Sequence, residues 1–472
     1  MKYQKFRNEI AKAVKKFREL DKNEIIRVIS HLDADGICAC SILIHALNLE
    51  NRRYSISIIP QLTENVIQEY VNEEYRIYFF TDLGSGQLEQ ISKHLKHRTI
   101  FVLDHHQYNQ EYELPDNIIH INPHSHEIDG NSEISGSGVV YLFSTMLNHK
   151  VENLAHIAII GAIGDIQEKD GFGGINKEIL DKALALNRLR MKKGVRWFGA
   201  ETKPLHKLLA YSTDPYIPDV SGSPSRAIQF LKNLEIMPKI DNRWRFFRDL
   251  TEDEKQRLIS AIIIKRSNEQ EPEDILGFKY ILPDEQEASP TRNAREFSTL
   301  LNACGRLDKA SLGIGTCLND KKIKQKAIAC LKDYKREIVN AMRWYEDNLS
   351  SKHIIKHDKF QIINARDNIR PSIIGTIASI LSNSPELAEG TYIMTMAQQY
   401  DGYTKVSLRV SGSGENDLRV LIKEITDKAG GEAGGHKNAA GAIIPTDNEQ
   451  EFINTALRIL NQYSIEEVIA NS

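Results

Sequence analysis

The chain has 472 residues, of which 41% are hydrophobic and 26% are charged, and its formal net charge is −3. This length is too great for one compact core, so we expect two or three domains. The near-neutral charge excludes a generic polyanion-binding surface, and no apolar run approaches the length of a membrane span.

The N-terminal sequence MKYQKFRNEIAKAVKKFREL predicts an amphipathic basic helix. It has neither the apolar core nor the cleavage site of a signal peptide. The five cysteines show no CxxC spacing, and their odd number leaves one unpaired in any disulfide scheme. We therefore expect buried thiols in a soluble, cytoplasmic protein that has no membrane association.

Four short clusters of acids and histidines follow: HLDADG at 31–36, TDLG at 81–84, LDHH at 103–106 and GAIGD at 161–165. Each lies at the end of an apolar run that we predict to be a buried strand, namely IIRVIS, RIYFF, TIFVLD and HIAIIGAIGD. In open α/β sheets, ligands bind beyond the carboxyl ends of the strands, so the clusters should converge. One such Asp is often only a helix N-cap, but four at successive strand ends favour a shared site.

In HLDADG, the residues His31, Asp33 and Asp35 alternate, so an extended segment would turn their side chains the same way. Gly36 would then let the chain turn sharply into a helix. From other strand ends, Asp82 and Asp165 could bridge two ions or complete their ligand shells. The pattern predicts a site for hard divalent cations, Mn²⁺ first and Mg²⁺ as the alternative.

The LDHH cluster adds two imidazoles to these carboxylates. His105 supplies a nitrogen ligand, His106 is placed to contact a phosphate or to move a proton, and Asp104 can orient an imidazole. Hydrolysis of a phosphodiester needs an activated water and charge compensation, which two ions about 3.5 to 4 Å apart provide.

Beyond the clusters, the amino-acid composition of the chain changes near 194, where Gly, Pro, Ser and aromatic residues become frequent. Helical patterns then dominate until strands return after 353. We divide the chain into a catalytic domain at 1–193, an inserted, mainly helical partner-docking or lid segment at 194–290, linker helices at 291–350 and a smaller α/β domain at 351–472.

These motifs resemble those of the DHH phosphoesterase superfamily. Further along, TRNAREFSTLLNACGR resembles a nuclease-family segment, and AGGHKNAAG resembles the glycine-rich motif of the DHHA1-type C-terminal domain. The pairing is similar to the RecJ exonuclease branch, and most of all to archaeal RecJ-like proteins that associate with the GINS replication complex. This resemblance implies an α/β fold of two lobes flanking a cleft, with a parallel-sheet catalytic lobe at the N-terminus.

The resemblance also assigns roles to individual residues. The implied metal ligands are His31, Asp33, Asp35, Asp82, His105 and Asp165, and the implied catalytic groups are His106 and Asp104. In the second lobe, the groups implied to hold a nucleic-acid backbone are Arg306, Arg370, Arg409, Ser411, Gly434, Gly435 and His436. Independently of the family, glycines let backbone amides approach a phosphate and arginines pair with it bidentately. Taken alone, the glycine cluster could equally be a tight turn before a strand.

From the motifs and the resemblance we expect a Mn²⁺- or Mg²⁺-dependent exonuclease that degrades single-stranded DNA, and RNA as a second substrate, to mononucleotides. The resemblance implies a role in DNA replication or repair, with GINS and the replicative helicase as partners. Two alternatives stay open. One is a phosphoesterase for short oligonucleotides or cyclic dinucleotides, and the other is a GINS-binding replication scaffold with secondary nuclease activity.

Overall fold

The computed structural model describes residues 2–168, 171–197, 199–200, 202–212, 215–267, 272–384, 387–412 and 417–470, without the side chains of 436 and 464–470. The chain forms two compact units, Met1–Leu331 and Lys332–Ser472. Their boundary falls within a long helix that spans Lys321–Asp347.

The strands of unit 1 are β1 (Ile26–His31), β2 (Tyr54–Ile59), β3 (Ile77–Thr81), β4 (Thr99–Leu103), β5 (Ile118–Ile121), β6 (Arg190–Val195), β7 (Lys239–Ile240), β8 (Arg243–Trp244) and β9 (Leu276–Ile281). Its helices are α1 (Lys2–Arg18), α2 (Ala34–Leu49), α3 (Glu64–Val71), α4 (Leu88–His94), α5 (Gly136–Leu147), α6 (Ala155–Gly164), α7 (Gly174–Ala185), α8 (Leu205–Ala210), α9 (Pro224–Asn233), α10 (Glu252–Lys265), α11 (Ala294–Arg306) and α12 (Ala310–Cys317). Helix α13 (Lys321–Asp347) follows.

Among the residues described, a five-stranded parallel sheet in the order β2-β1-β3-β4-β5 forms the centre of unit 1. Alternate side chains along β3 and β4 serve its two faces, as the pleat of a strand requires. On one face, Phe79 and Phe101 stack at 4.5 Å, and Phe17 of α1 packs edge-on against both. On the other face, Tyr78 and Phe80 belong to a separate core cluster. The sheet is covered on both sides, so its functional side chains are restricted to its edges.

The predicted strands IIRVIS, RIYFF and TIFVLD correspond to β1, β3 and β4. The prediction for HIAIIGAIGD was wrong, because these residues form helix α6, after which Asp165 is the C-cap. An apolar run of this length, buried all round, shows no period that distinguishes a strand from a core helix. Asp165 therefore reaches the site from the end of a helix that packs on α2 and α5.

Strands β6 and β9 form an antiparallel ribbon that supports an inserted segment. Val195 at the end of β6 pairs with Leu276 at the start of β9, so the chain leaves and returns at one place. Between them, α8, α9 and α10 pack around a separate hydrophobic core that includes Leu209, Leu231 and Leu258. The insertion thus has the buried core that an independent domain requires.

Unit 2 contains β10 (Ile354–Lys356), β11 (Phe360–Asn364), β12 (Tyr392–Gln398), β13 (Tyr403–Val410), β14 (Glu432–His436), β15 (Ala439–Pro445), α14 (Ile374–Ser382), α15 (Leu418–Ala429) and α16 (Glu449–Ala470). Within the described residues, its strands form one mixed sheet in the order β10-β11-β12-β13-β15-β14. Only β11 and β12 run parallel to each other among these pairs. Side chains of α15 and α16 form the main core with the sheet.

These observations confirm the predicted fold class, an α/β chain with a parallel N-terminal sheet and a smaller C-terminal α/β unit. Within the described part of the chain, no helix combines the length and the apolar character needed to cross a membrane.

Candidate metal centre

The HLDADG motif turns the chain from β1 into α2. Asp33 is the N-cap of α2, and its side chain accepts a hydrogen bond from the backbone N of Gly36 at 3.0 Å. A Cβ on Gly36 would lie 2.3 Å from the carbonyl oxygen of His31, so only glycine fits this close turn. The turn leaves the His31 ring 3.0 Å from Asp33, measured between Nδ1 and Oδ2.

Asp35 lies fully buried in the first turn of α2. Its Oδ1 accepts a hydrogen bond from the backbone N of Ser137 at 3.1 Å, at the start of α5. A helix N-terminus favours a negative charge, so α5 stabilises the carboxylate. Its Oδ2 is buried without a hydrogen-bond partner.

Asp82 follows β3 with a positive φ of 59°, a conformation that Asp tolerates better than most residues. The side chain is 2% exposed, and neither of its oxygens has a hydrogen-bond partner. The N-terminus of α5 approaches so closely that a Cβ on Gly136 would lie 2.4 Å from Asp82 Oδ1. The nearest basic groups are the His31 and His105 rings, at 3.8 Å and 3.3 Å. A buried carboxylate without hydrogen bonds is costly, so this group is suited to hold a cation.

His105 presents one ring nitrogen to the carboxylates. Its Nδ1 donates to the carbonyl oxygen of Gly130 at 2.6 Å, which fixes the orientation of the ring. Its Nε2 lies 3.3 Å from Asp82 Oδ1 and 3.2 Å from Asp165 Oδ2. A histidine whose second nitrogen donates to a carbonyl is the usual arrangement of a metal ligand.

Asp104 is already satisfied by donors, in contrast to Asp82. Its Oδ1 accepts from the backbone N of His105 at 2.8 Å and from Nδ1 of His106 at 2.7 Å. Its Oδ2 accepts from the backbone N of Ser85 at 2.9 Å. The His106 side chain is 32% exposed. Asp104 therefore holds the Nδ1 edge of a ring that reaches solvent.

The donors assemble into three groups, and the donor atoms of each group lie within 4.8 Å of one another. The first group is His31, Asp33 and Asp82, the second is Asp35, His105 and Asp165, and the third, which shares a residue with each of these, is Asp82, Asp104, His105 and His106. Asp82 Oδ2 lies 3.8 Å from His31 Nδ1, while its Oδ1 faces His105. One oxygen of Asp82 is therefore directed at His31 in the first group and the other at His105 in the second, and the donor set fits hard divalent cations.

The charges in this cluster strongly perturb one another. Burial and the neighbouring Asp82 raise the pKa of Asp35 to about 7, and burial with Asp35 nearby raises the pKa of Asp165 well above its usual range. Burial alone would lower the pKa of His105, but Asp82 and Asp165 outweigh it and raise that pKa. Carboxylates crowded in this way need positive charge among them to stay ionised together.

Comparison with known proteins identifies the family. The sequence matches the DHH family N-terminal domain over residues 25–164, the DHH-CID domain over 197–275 and the DHHA1 domain over 358–462. It is also 30% identical, over 460 residues, to an uncharacterised protein of Methanocaldococcus jannaschii, an alignment that covers 96% of this chain and 98% of the relative. The chain belongs to the DHH family.

Solved structures share the fold of this DHH chain at low identity. RecJ from Thermus thermophilus, solved in complex with Mn²⁺, aligns with a TM-score of 0.59 at 17% identity and covers 97% of this chain. The DHH chain spans about half of the length of that RecJ, 55%. CDC45 from Entamoeba histolytica aligns with a TM-score of 0.64 at 10% identity, with coverage of 97% and 98% of the two chains.

Most of the residues that the sequence singled out in the DHH motifs lie together in unit 1, as described above. Arg306 also lies in unit 1, so its placement in the second lobe was wrong. It ends α11, which packs on α2 and α6. A Cβ on Gly305 would lie 1.7 Å from the carbonyl oxygen of Leu32, which shows how closely this segment covers the HLDADG turn.

The other residues assigned to nucleic acid lie in unit 2. Arg409 is half-buried, and its guanidinium donates to Ser379 Oγ at 3.1 Å and to Ser407 Oγ at 3.1 Å. Ser411 is buried and donates to the carbonyl oxygen of Ala388. Arg370 is exposed and precedes α14. Substrate contacts by these residues stay predictions.

The glycine motif forms the β14–β15 hairpin, with β14 at the edge of the sheet. Gly435 has a φ of 128°, which favours glycine, and a Cβ there would lie 2.5 Å from the carbonyl oxygen of Ala439. Open space lies in front of Gly434. The side chain of His436, also predicted to bind substrate, lies outside the described residues.

The sequence did not indicate several groups that orient the side chains of the DHH site or hold its turns. They are Gly130, whose carbonyl orients His105, Asn302, whose Oδ1 accepts from the backbone N of Ala34 at 3.0 Å, and Asn122, whose amide donates to the carbonyl of His106 at 2.8 Å. SGSG at 135–138 is the local signal for the start of α5, whose N-cap is Ser135. Contacts such as that of Asn302 with Ala34 leave no local pattern in the sequence.

Proposed function

We propose that this DHH protein is a metal-dependent exonuclease that hydrolyses the phosphodiester bonds of single-stranded DNA, with RNA as a second substrate, to mononucleotides. The observation that carries the proposal is Asp82. Both of its buried oxygens lack hydrogen-bond partners, and each is directed at a different group of donors. A carboxylate placed in this way is suited to bridge two cations.

The carboxylate and imidazole ligands suggest Mn²⁺, with Mg²⁺ as the alternative. His31, Asp33 and Asp82 would hold one ion, and Asp35, His105 and Asp165 would hold the other, with Asp82 shared. When bound, the two ions would supply an activated water and compensate the charge on the phosphate oxygens. The six ligands are those that we inferred from the sequence.

We assign contact with the substrate to His106. Because Asp104 accepts from its Nδ1, the ring presents Nε2, and its partial exposure lets Nε2 donate to a phosphate oxygen or take up a proton. Asp104 acts as the positioning group, since its own oxygens are occupied by donors. We assign backbone binding to Arg306 in unit 1 and to Arg370, Arg409, Ser411, Gly434, Gly435 and His436 in unit 2.

The assembled carboxylate and imidazole donors favour hydrolysis over a purely structural role, and the likeness to RecJ, at 17% identity, supports the fold alone. For the inserted segment we propose a docking role in DNA replication or repair. The partners that the sequence resemblance implies are GINS and the replicative helicase. The separate core of the insertion and its support on a two-stranded ribbon suit such a module.

The first test is a time course with Mn²⁺ on single-stranded DNA and RNA labelled separately at each end. Wild type should release mononucleotides stepwise. Asp82→Ala should abolish hydrolysis at any Mn²⁺ concentration, because it removes the carboxylate shared by both donor groups. Asp116→Ala, at an exposed position, should match wild type.

Substantial activity of Asp82→Ala would overturn the two-metal assignment. If wild type cleaves dinucleotides but not long strands, the short-substrate phosphoesterase replaces the exonuclease. If it cleaves neither and still captures GINS in a pull-down, the scaffold replaces both.

A further inference from the structure

The turn that follows helix α6 places a glutamine in the interior. Asp165 is the C-cap of α6, Ile166 comes next with a positive φ of 60°, and Gln167 follows. The backbone N of Gln167 donates to the carbonyl oxygen of Ala162 at 3.0 Å. The backbone N of Ile166 donates to that of Ile163 at 3.1 Å, and the two bonds form a Schellman motif. The position of Gln167 in this motif commonly makes an apolar contact, yet here it holds an amide that is 5% exposed.

Ile166 is an unfavourable residue for this turn. Glycine is usual at its position, because the left-handed backbone has no steric penalty there. A β-branched residue at a positive φ is an outlier, and the Ile166 side chain is 74% exposed, so its burial gives little compensation. Strain of this kind persists where the surrounding structure holds it in place. The contacts of the next residue, Gln167, show what holds this turn.

The amide of Gln167 joins the turn to the His105 ring through one carbonyl group. Its Nε2 donates to the carbonyl oxygen of Gly130 at 2.9 Å, and Nδ1 of His105 donates to the same oxygen at 2.6 Å. Its Oε1 accepts from Nδ2 of Asn176 at 2.7 Å. The backbone N of Asn176 donates in turn to the carbonyl oxygen of Glu133 at 2.8 Å, so α7 holds the far end of this network.

The chemistry of the groups fixes the direction of each bond in the network. A carbonyl oxygen only accepts, so Gln167 presents Nε2 to Gly130 and is left with Oε1 for the amide of Asn176. The Gly130 oxygen then has both of its lone pairs occupied, which holds it in place for the His105 ring. His105 keeps its proton on Nδ1 and directs Nε2 at Asp165 Oδ2, 3.2 Å away. Gln167, Asn176 and His105 are all buried, so each lost bond would leave a polar group unsatisfied.

We infer that Gln167 is a positioning residue for the second group of donors. It holds the His105 ring through Gly130, and it fixes the turn that carries Asp165. The inference rests on the proposed function, because it takes His105 and Asp165 to be metal ligands. A purely structural role for Gln167 would lower the stability of the fold and leave the affinity for Mn²⁺ unchanged.

The test is a calorimetric titration of the metal-free full chain with Mn²⁺, with chemical denaturation in parallel. Gln167→Met keeps roughly the length of the side chain and removes both the donor and the acceptor. Gln361→Met is the matched control, because Gln361 is a buried amide of unit 2 that accepts from the hydroxyl of Tyr345 at 2.9 Å. A double variant adds Ile166→Gly to Gln167→Met, because glycine relieves the strain at a positive φ.

We expect Gln167→Met to weaken Mn²⁺ binding about 10- to 100-fold and to lower the stability of the fold. The double variant should regain stability and still bind Mn²⁺ as weakly as Gln167→Met does. Gln361→Met should lose stability and keep the wild-type affinity. Wild-type affinity in Gln167→Met, recovery of affinity in the double variant or an equal loss in Gln361→Met would each overturn the inference.

The titration needs no substrate, so it separates this inference from the proposed function. If the wild type binds Mn²⁺ and Gln167→Met binds it weakly, but the end-label time course shows no mononucleotides, the nuclease fails and the role of Gln167 stands. If mononucleotides are released and Gln167→Met keeps the wild-type affinity, the inference fails alone. A wild-type chain that binds no Mn²⁺ would overturn both.

Discussion

At the scale of single residues, the site separates two kinds of buried carboxylate. Asp82 has buried oxygens without hydrogen-bond donors, whereas Asp104 accepts from four, the backbone N of Ser85, the backbone N of His105 and both the backbone N and the ring of His106. Burial alone would raise the pKa of Asp104, but His106 and the donors outweigh it and hold that pKa well below its usual range. We conclude that Asp104 positions the LDHH turn, while Asp82 is suited to hold cations.

This distinction predicts the effect of Asp104→Asn. The amide keeps the size of the side chain but places a donor where Asp104 accepts, so His106 should lose its orientation. We expect kcat to fall about 10- to 100-fold while Mn²⁺ binding changes little, as for other groups that orient a site from behind. Steady-state kinetics and calorimetric Mn²⁺ titration measure the two effects.

Asp116→Asn, at an exposed position, serves as the control and should leave both quantities unchanged. If Asp104→Asn instead abolished Mn²⁺ binding with the fold intact, Asp104 would be a ligand and the assignment of Asp82 as the shared carboxylate would need revision.

At the scale of elements, α11 supports the metal centre from outside the sheet. It packs on α2 and α6, the two helices that carry Asp33, Asp35 and Asp165 at their ends. Asn302 on α11 accepts from the backbone N of Ala34, which is one of the unpaired donors at the start of α2. The NACGR segment therefore acts on the HLDADG turn, and its sequence resemblance alone had suggested a place in the other lobe.

From this contact we predict that Asn302→Ala lowers the free energy of unfolding by about 1 to 2 kcal/mol, as the loss of a helix cap does. It should also weaken Mn²⁺ binding, because Asp33 and Asp35 lie on the turn that Asn302 holds. Chemical denaturation and Mn²⁺ titration test both parts. Gln325→Ala, an exposed amide on α13, should change neither quantity, and an equal effect there would contradict the coupling.

At the scale of the whole molecule, the insertion is separate from the parallel sheet of unit 1. Its chain leaves after Val195 and returns at Leu276, which pair across the ribbon, and Arg196 N donates to Ile275 O at 2.8 Å. The matched DHH-CID domain, 197–275, lies within these limits. A segment with one entry point and its own core can be removed without cutting the parallel sheet.

We predict that replacing 196–275 with Asn-Gly, a two-residue hairpin turn, leaves a folded enzyme. Glu296→Gln should accompany the deletion, because the buried Glu296 accepts from Gly199 N and Thr202 Oγ1 and would otherwise lose both donors. The shortened protein should retain Mn²⁺-dependent hydrolysis of short oligonucleotides and lose capture of GINS. The Glu296→Gln chain of full length is the control, and GINS capture by the shortened protein would refute the docking role.

The sequence by itself determined the family, the α/β class and the parallel sheet, because the strands at β1, β3 and β4 are apolar runs with acids at their ends. These signals are local, since the apolar run that predicts a buried strand and the acid that follows it are only a few positions apart in the sequence. The sequence also supplied the candidate ligands, and the structure places them within reach of one another.

Only the tertiary structure decided that HIAIIGAIGD is a helix, that Arg306 belongs to unit 1 and that the carbonyl of Gly130 orients His105. A uniformly buried run carries no period, so its conformation follows from the α2 and α5 helices that surround it. The contact of Asn302 with Ala34 joins residues far apart in the chain, and packing rather than sequence spacing brings them together.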